Sequence, residues 1–370
     1  MDLKEGAFKP GQRLESLDAL RGFDMFWIIG GYWIFSSFHV IFDSPLTRFL
    51  QRQLEHAEWE GFRFWDLIMP LFLFIVGVAM PFSFAKRLAR GGSRKKLYFH
   101  IIIRFVVLFI LGMIAQGHLL QYDLSKLHIY SNTLQAIAAG YLIGSIFLLN
   151  LNIRWQIGIT GGLLLLFWAS MAWIPVPGYG AGRFTPEGNL AMYLDKLLLG
   201  PYQDGTDYTW ILSSITFACT VMLGVMGGLL LRSRKSKKEK VLWLLGAGLV
   251  STGLGLIWSI WFPIIKHLWT SSFVLFSGGI CFMLLGLFYL VIDVWGFRRW
   301  AFLFKVIGMN AIFVYMVTRL FDFRQIGNIF VGGLADRLQS WNAFVQGLAG
   351  FMVIWLVLFW MYRKKTFVKI

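Results

Sequence analysis

Apolar residues occur along this chain in long runs that are separated by short polar or basic stretches. A helix needs about 20 mainly apolar residues to cross the hydrocarbon core of a bilayer. Windows of that length predict about ten spans, at residues 17–37, 65–85, 97–117, 134–150, 156–174, 211–231, 241–262, 272–293, 301–320 and 343–362. The pattern therefore predicts an all-α polytopic membrane protein, with one transmembrane domain over residues 1–370.

Composition supports this prediction. The chain is 57% hydrophobic and only 15% charged, whereas about a quarter of the residues in an average soluble protein are charged. The formal net charge is +16, but the Lys and Arg residues stand in short clusters between apolar runs, as loop charges that orient spans do. We therefore expect lipid as a partner and no nucleic acid.

The basic clusters also predict which side of the membrane the termini and loops face. If the N terminus is cytoplasmic, most of the 35 Lys and Arg residues fall in cytoplasmic segments, as the positive-inside rule requires. We therefore expect both termini in the cytoplasm and two long outer segments, at about 38–64 and 175–210. The Pro- and Gly-rich stretch IPVPGYGAGRFTPEGN predicts a shaped loop rather than a regular helix in the second segment.

Several chemistries find little support in the sequence. Cys219 and Cys281 lie inside apolar runs, which is typical of buried thiols. No second histidine stands at metal-ligand spacing from His56, so we expect no metal site. The chain has no G-x-S-x-G motif, which disfavours a serine hydrolase.

Polar residues inside the predicted spans have two interpretations. Asp18, Arg21 and Asp24 share one helical face and form either a neutralised structural cluster or part of an anion site. Arg104 either extends to the headgroups or meets a phosphate-bearing ligand. Further polar groups, which either bond a neighbouring helix or line a polar cavity, are Gln116, His118, Gln135 and Asn310.

The stretch LEHAEWEGFRFWDLIMP, in the first outer segment, is unusually rich in chemistry for a connecting loop. A histidine in an outer loop is most often simply solvated. Here the acids Glu55 and Glu58 flank His56, Trp59 follows, and Asp66 stands at the start of the next span. This arrangement is typical of a positioned general base.

Eight ordered stretches resemble one family. They are RLESLDALRG (13–22), HAEWEGFRFWDLIMPLFLFIVG (56–77), LQAIAAGYL (134–142), IPVPGYGAGRFTPEGN (174–189), YLDKLLLG (193–200), HLWTSSFVL (267–275), GMNAIFVYM (308–316) and YRKKTFVKI at the C-terminal end. In order and along nearly the whole chain they resemble the heparan-alpha-glucosaminide N-acetyltransferase family.

The resemblance implies an enzyme that takes acetyl-CoA from the cytoplasm and acetylates the amine of a glucosamine on the opposite side. The family's active-site histidine has Trp three, Gly five and Asp ten residues later, which are Trp59, Gly61 and Asp66 after His56. His56 would act as a general base or as a transient acetyl carrier. We expect catalysis by His56 and Asp66, binding of acetyl-CoA by Asp18, Arg21, Arg104, Gln135 and Asn310, and binding of the sugar by Glu58, Trp59 and Trp269.

The sequence departs from the family pattern in three places, near WIIGGYWIF in the first span, at Ala136 and at TDYTW before the sixth span. These departures leave the acceptor glycan open. Because the first matching stretch begins at residue 13, we expect a bacterial inner-membrane relative without the family's luminal domain, acting on a periplasmic amino sugar. The resemblance also suggests a homodimer.

Two other functions stay open from the residues. A transporter or flippase would move a sugar or lipid through the polar cavity, with His56 and Asp66 as a proton-coupling pair. The second alternative is a family member that binds CoA but has lost turnover. Release of free CoA thiol from acetyl-CoA separates the enzyme from both.

Overall fold

The computed structural model of the protein describes residues 14–368, and most of these residues are helical. The basic residues Lys4, Lys9 and Arg13, which the topology prediction places in the cytoplasm, lie outside the described residues. Sixteen α-helices follow one another: α1 Glu15–Phe26, α2 Tyr32–Ser36, α3 Phe38–Ile41, α4 Pro45–Gln53, α5 Ile68–Ala89, α6 Arg94–Ala115, α7 Thr133–Asn150, α8 Ile153–Trp173, α9 Leu190–Leu199, α10 Ser214–Arg232, α11 Lys237–Trp258, α12 Ser271–Phe288, α13 Phe302–Gly308, α14 Ala311–Leu320, α15 Phe323–Arg337 and α16 Asn342–Arg363. Two π-helical segments, Trp27–Gly31 and Tyr289–Val294, continue α1 and α12.

Eight helices of the described chain are long and apolar enough to cross a membrane. A ninth candidate is the pair α13 and α14, which is bent by 75° at Asn310. These helices coincide with nine of the predicted spans, and the predicted all-α polytopic bundle is confirmed. The first predicted span, 17–37, is helical from Glu15 to Ser36 but is not among them, because Arg21 and Asp24 lower its hydropathy.

Regular helices also form in the two outer segments, where the sequence predicts loops. Ser44 caps α4, its hydroxyl accepting from the Thr47 amide, and Pro45 occupies the first helical position. Asn189 caps α9 by accepting from the Met192 amide at 2.8 Å. The stretch 174–189 is irregular, as predicted, but residues 190–199 are a helix. The outer segment at about 175–210 thus contains the predicted irregular stretch and, after it, the helix α9.

The centre of the bundle is the contact between α5 and α10. In these two spans 78% of the most apolar window is buried, against 22% for α6. Glycine makes this contact possible, since an added methyl group on Gly224 would overlap the carbonyl oxygen of Phe74, and one on Gly77 would overlap that of Val221. Small residues let membrane helices approach backbone to backbone. The glycines therefore fix the position of α5.

This contact gives a prediction about stability. Gly224→Ala should lower the free energy of unfolding by about 1–3 kcal/mol, because the new methyl group has no space and the helices must separate. Thermal unfolding of the purified protein in detergent measures the effect. Gly246→Ala on α11 is the matched control, since nothing lies within 4 Å of a methyl group there. Equal melting temperatures for the two variants would contradict the proposed role of the contact.

Candidate active site

Three loops meet at one end of the bundle. Consecutive spans run in opposite directions, so the N termini of α5, α7, α10 and α12 share this end, which we call the His56 end. The Gly61 amide donates to the Ile264 carbonyl oxygen at 2.9 Å, and the Thr209 amide donates to that of His267 at 3.0 Å. The loops 54–66, 200–213 and 259–270 are thereby joined into one structure.

Asp66 organises the first loop. It lies in a 3₁₀ turn, Phe64–Leu67, that leads into α5, and its side chain is buried. Oδ2 accepts hydrogen bonds from the backbone amides of Ala57 at 3.1 Å and Arg63 at 3.0 Å. Oδ1 lies 2.8 Å from Nδ1 of His56. The carboxylate therefore fixes both ends of the loop and the imidazole between them.

The hydrogen bond to Asp66 sets the state of His56. A carboxylate can only accept, so Nδ1 of the imidazole carries the hydrogen and Nε2 has the free lone pair. The Arg63 guanidinium holds the His56 backbone by donating to its carbonyl oxygen at 2.9 Å. The His56 side chain is 41% exposed and lines a cavity. Nε2 is thus an oriented acceptor for a proton or an acyl group.

Lys266 completes the site from 210 residues away. Its Nζ lies 3.0 Å from Nδ1 of His56, 3.5 Å from Nε2 and 3.4 Å from Oδ1 of Asp66. A tight turn places it there, in which Trp269 has a φ of 53° and Ile265 and Thr270 bond each other. Burial lowers the pKa of Lys266 to about 8, although the negative charge of Asp66 partly opposes this shift.

Sequence reasoning missed Lys266. It stands one residue before the family-like stretch HLWTSSFVL, in the apolar context WFPIIKHLW. A lone lysine at the start of a span reads as an ordinary loop charge. The signal that could have found it is its isolation among apolar residues, which predicts burial beside an acid.

Aromatic rings pack behind the catalytic groups. The Trp59 indole stacks on the His267 imidazole with 5.1 Å between ring centroids, and Tyr208 lies 4.4 Å from the same imidazole. Trp59 Nε1 donates to the Phe184 carbonyl oxygen at 2.8 Å, which ties the irregular stretch 174–189 to the site. Burial, followed by the charge of Lys266, lowers the pKa of His267 to about 4. His267 is therefore a neutral packing group at neutral pH.

A cavity of about 460 Å³ opens beside His56 and Lys266. Its outer part is polar and includes Asp204, Tyr208 and Arg319. Its inner part is apolar, lined by Ile28, Phe72 and Ile137. The residues that line it run from Trp65, just before α5, to Phe72 within α5, so the cavity extends about 10 Å into the bundle. The shape combines a polar mouth with an apolar floor, as small-molecule sites commonly do.

The residues predicted to bind the sugar lie in different surroundings. Glu58 is exposed within the loop 54–66. Trp59 packs on His267, behind the cavity. Trp269 is 1% exposed, and its Nε1 donates to Thr220 Oγ1 at 3.0 Å within the bundle. The structure brings Glu58 and Trp59 near the site but places neither Trp59 nor Trp269 among the residues that line the cavity.

The residues predicted to bind acetyl-CoA do not line this cavity either. Arg21 Nη1 pairs with Asp18 Oδ1 at 3.5 Å, and the Arg104 guanidinium lies 4.5 Å from the centre of the Tyr141 ring. Gln135 bonds the backbone of residues 129 and 131. Asn310 donates to the Thr366 carbonyl oxygen at 3.2 Å and accepts from the Val368 amide at 3.0 Å. Each group therefore has a structural contact of its own.

The other sequence expectations concern thiols and metals. Cys219 and Cys281 are buried and not disulfide-bonded. Within residues 14–368, His, Cys, Asp and Glu side chains form no group of three that could hold a metal ion.

Comparison with known proteins adds independent information. A family model described as "Heparan-alpha-glucosaminide N-acetyltransferase, catalytic" matches residues 13–181, which include His56 and Asp66. The chain is 26% identical to a Homo sapiens protein named heparan-alpha-glucosaminide N-acetyltransferase and 25% identical to its Mus musculus counterpart, over 97% of this chain in both cases. It spans 60% of the length of these two relatives. In both comparisons the chain is similar to the heparan-alpha-glucosaminide N-acetyltransferase family.

Proposed function

We propose that the protein is a transmembrane N-acetyltransferase that transfers acetyl from acetyl-CoA to the amine of a glucosamine-type sugar. The observation that carries this proposal is the 2.8 Å hydrogen bond between His56 Nδ1 and Asp66 Oδ1, which leaves Nε2 as the acceptor beside a cavity. The names of the human and mouse relatives support the same activity.

The chemistry requires such a group. A glucosamine amine is protonated near neutral pH, and its nitrogen can attack only after it loses a proton. The nitrogen then adds to the carbonyl carbon of the thioester, the C–S bond breaks, and CoA leaves as a thiol. His56 Nε2 accepts the proton that the nitrogen gives up on bond formation and returns it to the sulfur. The products are the N-acetyl sugar and free CoA.

His56 has two routes to the same product. As a base, Nε2 takes the proton of the sugar nitrogen during direct transfer. As an acetyl carrier, Nε2 first forms an acetyl-imidazole, which the sugar nitrogen then attacks. Acetyl-imidazole trapped in the wild-type protein would indicate the second route.

We infer that acetyl-CoA enters from the cytoplasm and that the His56 end faces the periplasm of a bacterial inner membrane. The basic clusters support this orientation, because the segments opposite the His56 end carry most of the Lys and Arg residues. Asp18, Arg21, Arg104, Gln135 and Asn310 remain the predicted contacts of the CoA moiety. A homodimer also remains a prediction from the family resemblance.

The proposal predicts CoA release that depends on an amino sugar. Purified protein with acetyl-CoA and glucosamine should release thiol in proportion to N-acetylglucosamine, with thiol measured by a colorimetric reagent and product by mass spectrometry. In sealed inverted vesicles with glucosamine inside, external acetyl-CoA should support the reaction, whereas right-side-out vesicles should not.

N-acetylglucosamine is the matched control acceptor, since it has the same ring without a free amine. Thiol release no greater with glucosamine than with this control would contradict the enzyme and support the transporter. Activity found only in right-side-out vesicles would mean that the protein has the opposite orientation in the membrane. The proposed acetyl transfer would still hold.

A further inference from the structure

Lys266 forms an ion pair with the buried carboxylate of Asp66, with 3.4 Å between Nζ and Oδ1. The same carboxylate accepts hydrogen bonds from His56 and from two backbone amides. The lysine side chain is 6% exposed, and a buried ammonium group must be paired and hydrogen-bonded. An ammonium group has three N–H donors, so Lys266 can pair with Asp66 and still donate to another group.

The cavity indicates that this other group belongs to a bound substrate. Lys266 and His56 both line it, and Nζ lies within 3.5 Å of both ring nitrogens. A substrate atom that donates a hydrogen bond to Nε2 of His56 therefore also lies near Nζ of Lys266. The site presents an acceptor and a cationic donor side by side, which is the pairing that addition of an amine to a carbonyl requires.

We propose that Lys266 is a further catalytic residue whose ammonium group stabilises the negative charge on the acetyl oxygen during transfer. This role rests on the proposed function. As the sugar nitrogen forms its bond to the carbonyl carbon, the electron pair of the C=O bond moves to oxygen, and an N–H of Lys266 donates to that oxygen. When the C–S bond breaks, the electron pair returns to the C=O bond and the donor is released.

The charge state of Lys266 gives this role a pH signature. The groups that face its Nζ are His56 at 3.0 Å, Asp66 at 3.4 Å and the Tyr208 ring at 6.0 Å, and His267 follows it in the chain. Burial gives Lys266 a pKa of about 8, so the ammonium is present below this pH and is lost above it. The sugar amine also loses its proton as pH rises, so the measurement is kcat at saturating sugar, which reports the groups of the enzyme–substrate complex. This kcat should fall as pH rises through about 8.

The test compares Lys266→Met and Lys266→Arg with the wild-type protein. Methionine removes the charge, and kcat should fall by ~10²–10³ while KM for both substrates changes little, because the interaction forms only in the transition state. Arginine keeps the charge at all accessible pH values. Lys266→Arg should exceed Lys266→Met in activity and should lose the alkaline decline of the wild-type protein. Lys196→Met, on the exposed side of α9, should behave as wild type.

The outcomes separate this role from the proposed function. Absence of sugar-dependent thiol release by wild-type protein would overturn both. An active wild-type protein with unchanged kcat in folded Lys266→Met would overturn the role of Lys266 alone. A wild-type kcat that rises through pH 8 at saturating sugar, while that of Lys266→Arg does not, would assign the neutral lysine amine as a base and contradict the proposal. If Lys266→Met does not fold, the pH profile of Lys266→Arg still tests whether the charge of Lys266 takes part in catalysis.

Discussion

Replacement of His56 with alanine is expected to lower the rate of N-acetylation by ~10²–10⁴, the usual effect of losing a positioned general base. The imidazole is the group that lines the cavity with an oriented acceptor, and alanine cannot take its place. Asp66 keeps its two backbone donors in this variant, so the fold should persist. Initial rates of thiol release, with the melting temperature measured alongside, provide the test.

His39 is the matched control for this change. It lies in α3, where its Nδ1 is 2.6 Å from the Ser36 carbonyl oxygen, and it does not line the cavity. His39→Ala should retain wild-type activity. A folded His56→Ala protein that acetylates glucosamine at the wild-type rate would refute the mechanism. Complete loss of activity, together with acetyl-imidazole trapped in the wild-type protein, would indicate the carrier route instead.

The second large effect is expected for Asp66→Asn. Oδ2 of Asp66 accepts from two backbone amides, so the asparagine carbonyl oxygen must take that position and its NH₂ group must face His56. The imidazole would then accept at Nδ1 and carry its hydrogen on Nε2, the wrong tautomer for a base. A comparable change in a serine protease triad costs ~10⁴ in kcat, and we expect a loss of ~10³–10⁴ here.

Asp207→Asn is the control for this change, because Asp207 is exposed in a loop of the same site. The pair of variants should differ strongly in kcat and little in expression. If Asp66→Asn keeps more than about a tenth of the wild-type kcat with an unchanged melting temperature, then tautomer control by Asp66 is not needed. That result would mean that the loop backbone alone orients His56.

Local patterns predict the helices well, and the spacing of the family resemblance predicts the His56–Asp66 pair. Both features depend on residues that are close in sequence. A helix needs an apolar run of sufficient length, and the pair needs an acid ten residues after a histidine. The helix α9 was missed because ten residues with a charged pair, Asp195 and Lys196, are too short for a span. In the structure Asp195 is buried and accepts from the amides of Trp210 and Ile211 at 2.7 and 2.9 Å.

Residues that act across the bundle are not predictable in this way. Lys266 meets His56 only because a turn near α12 folds against the loop before α5, and no periodicity connects positions so far apart. Gln135 and Asn310 show a second limit of sequence patterns. Polar groups inside apolar runs suggest a cavity, yet these two bond backbone groups that would otherwise lack partners. Their predicted contact with acetyl-CoA therefore rests on the resemblance alone.

The apolar floor of the cavity has a consequence for the energised membrane. A water-filled passage through the bundle would let protons and ions run down their gradients, since hydrated ions cross wide polar pores freely. Ile28, Phe72 and Ile137 present hydrocarbon at the depth where such a passage would have to continue. A thin, flexible thioester arm can slide between such side chains, whereas an ion would lose its hydration shell there. We therefore expect vesicles containing the protein to hold a proton gradient as well as protein-free vesicles do.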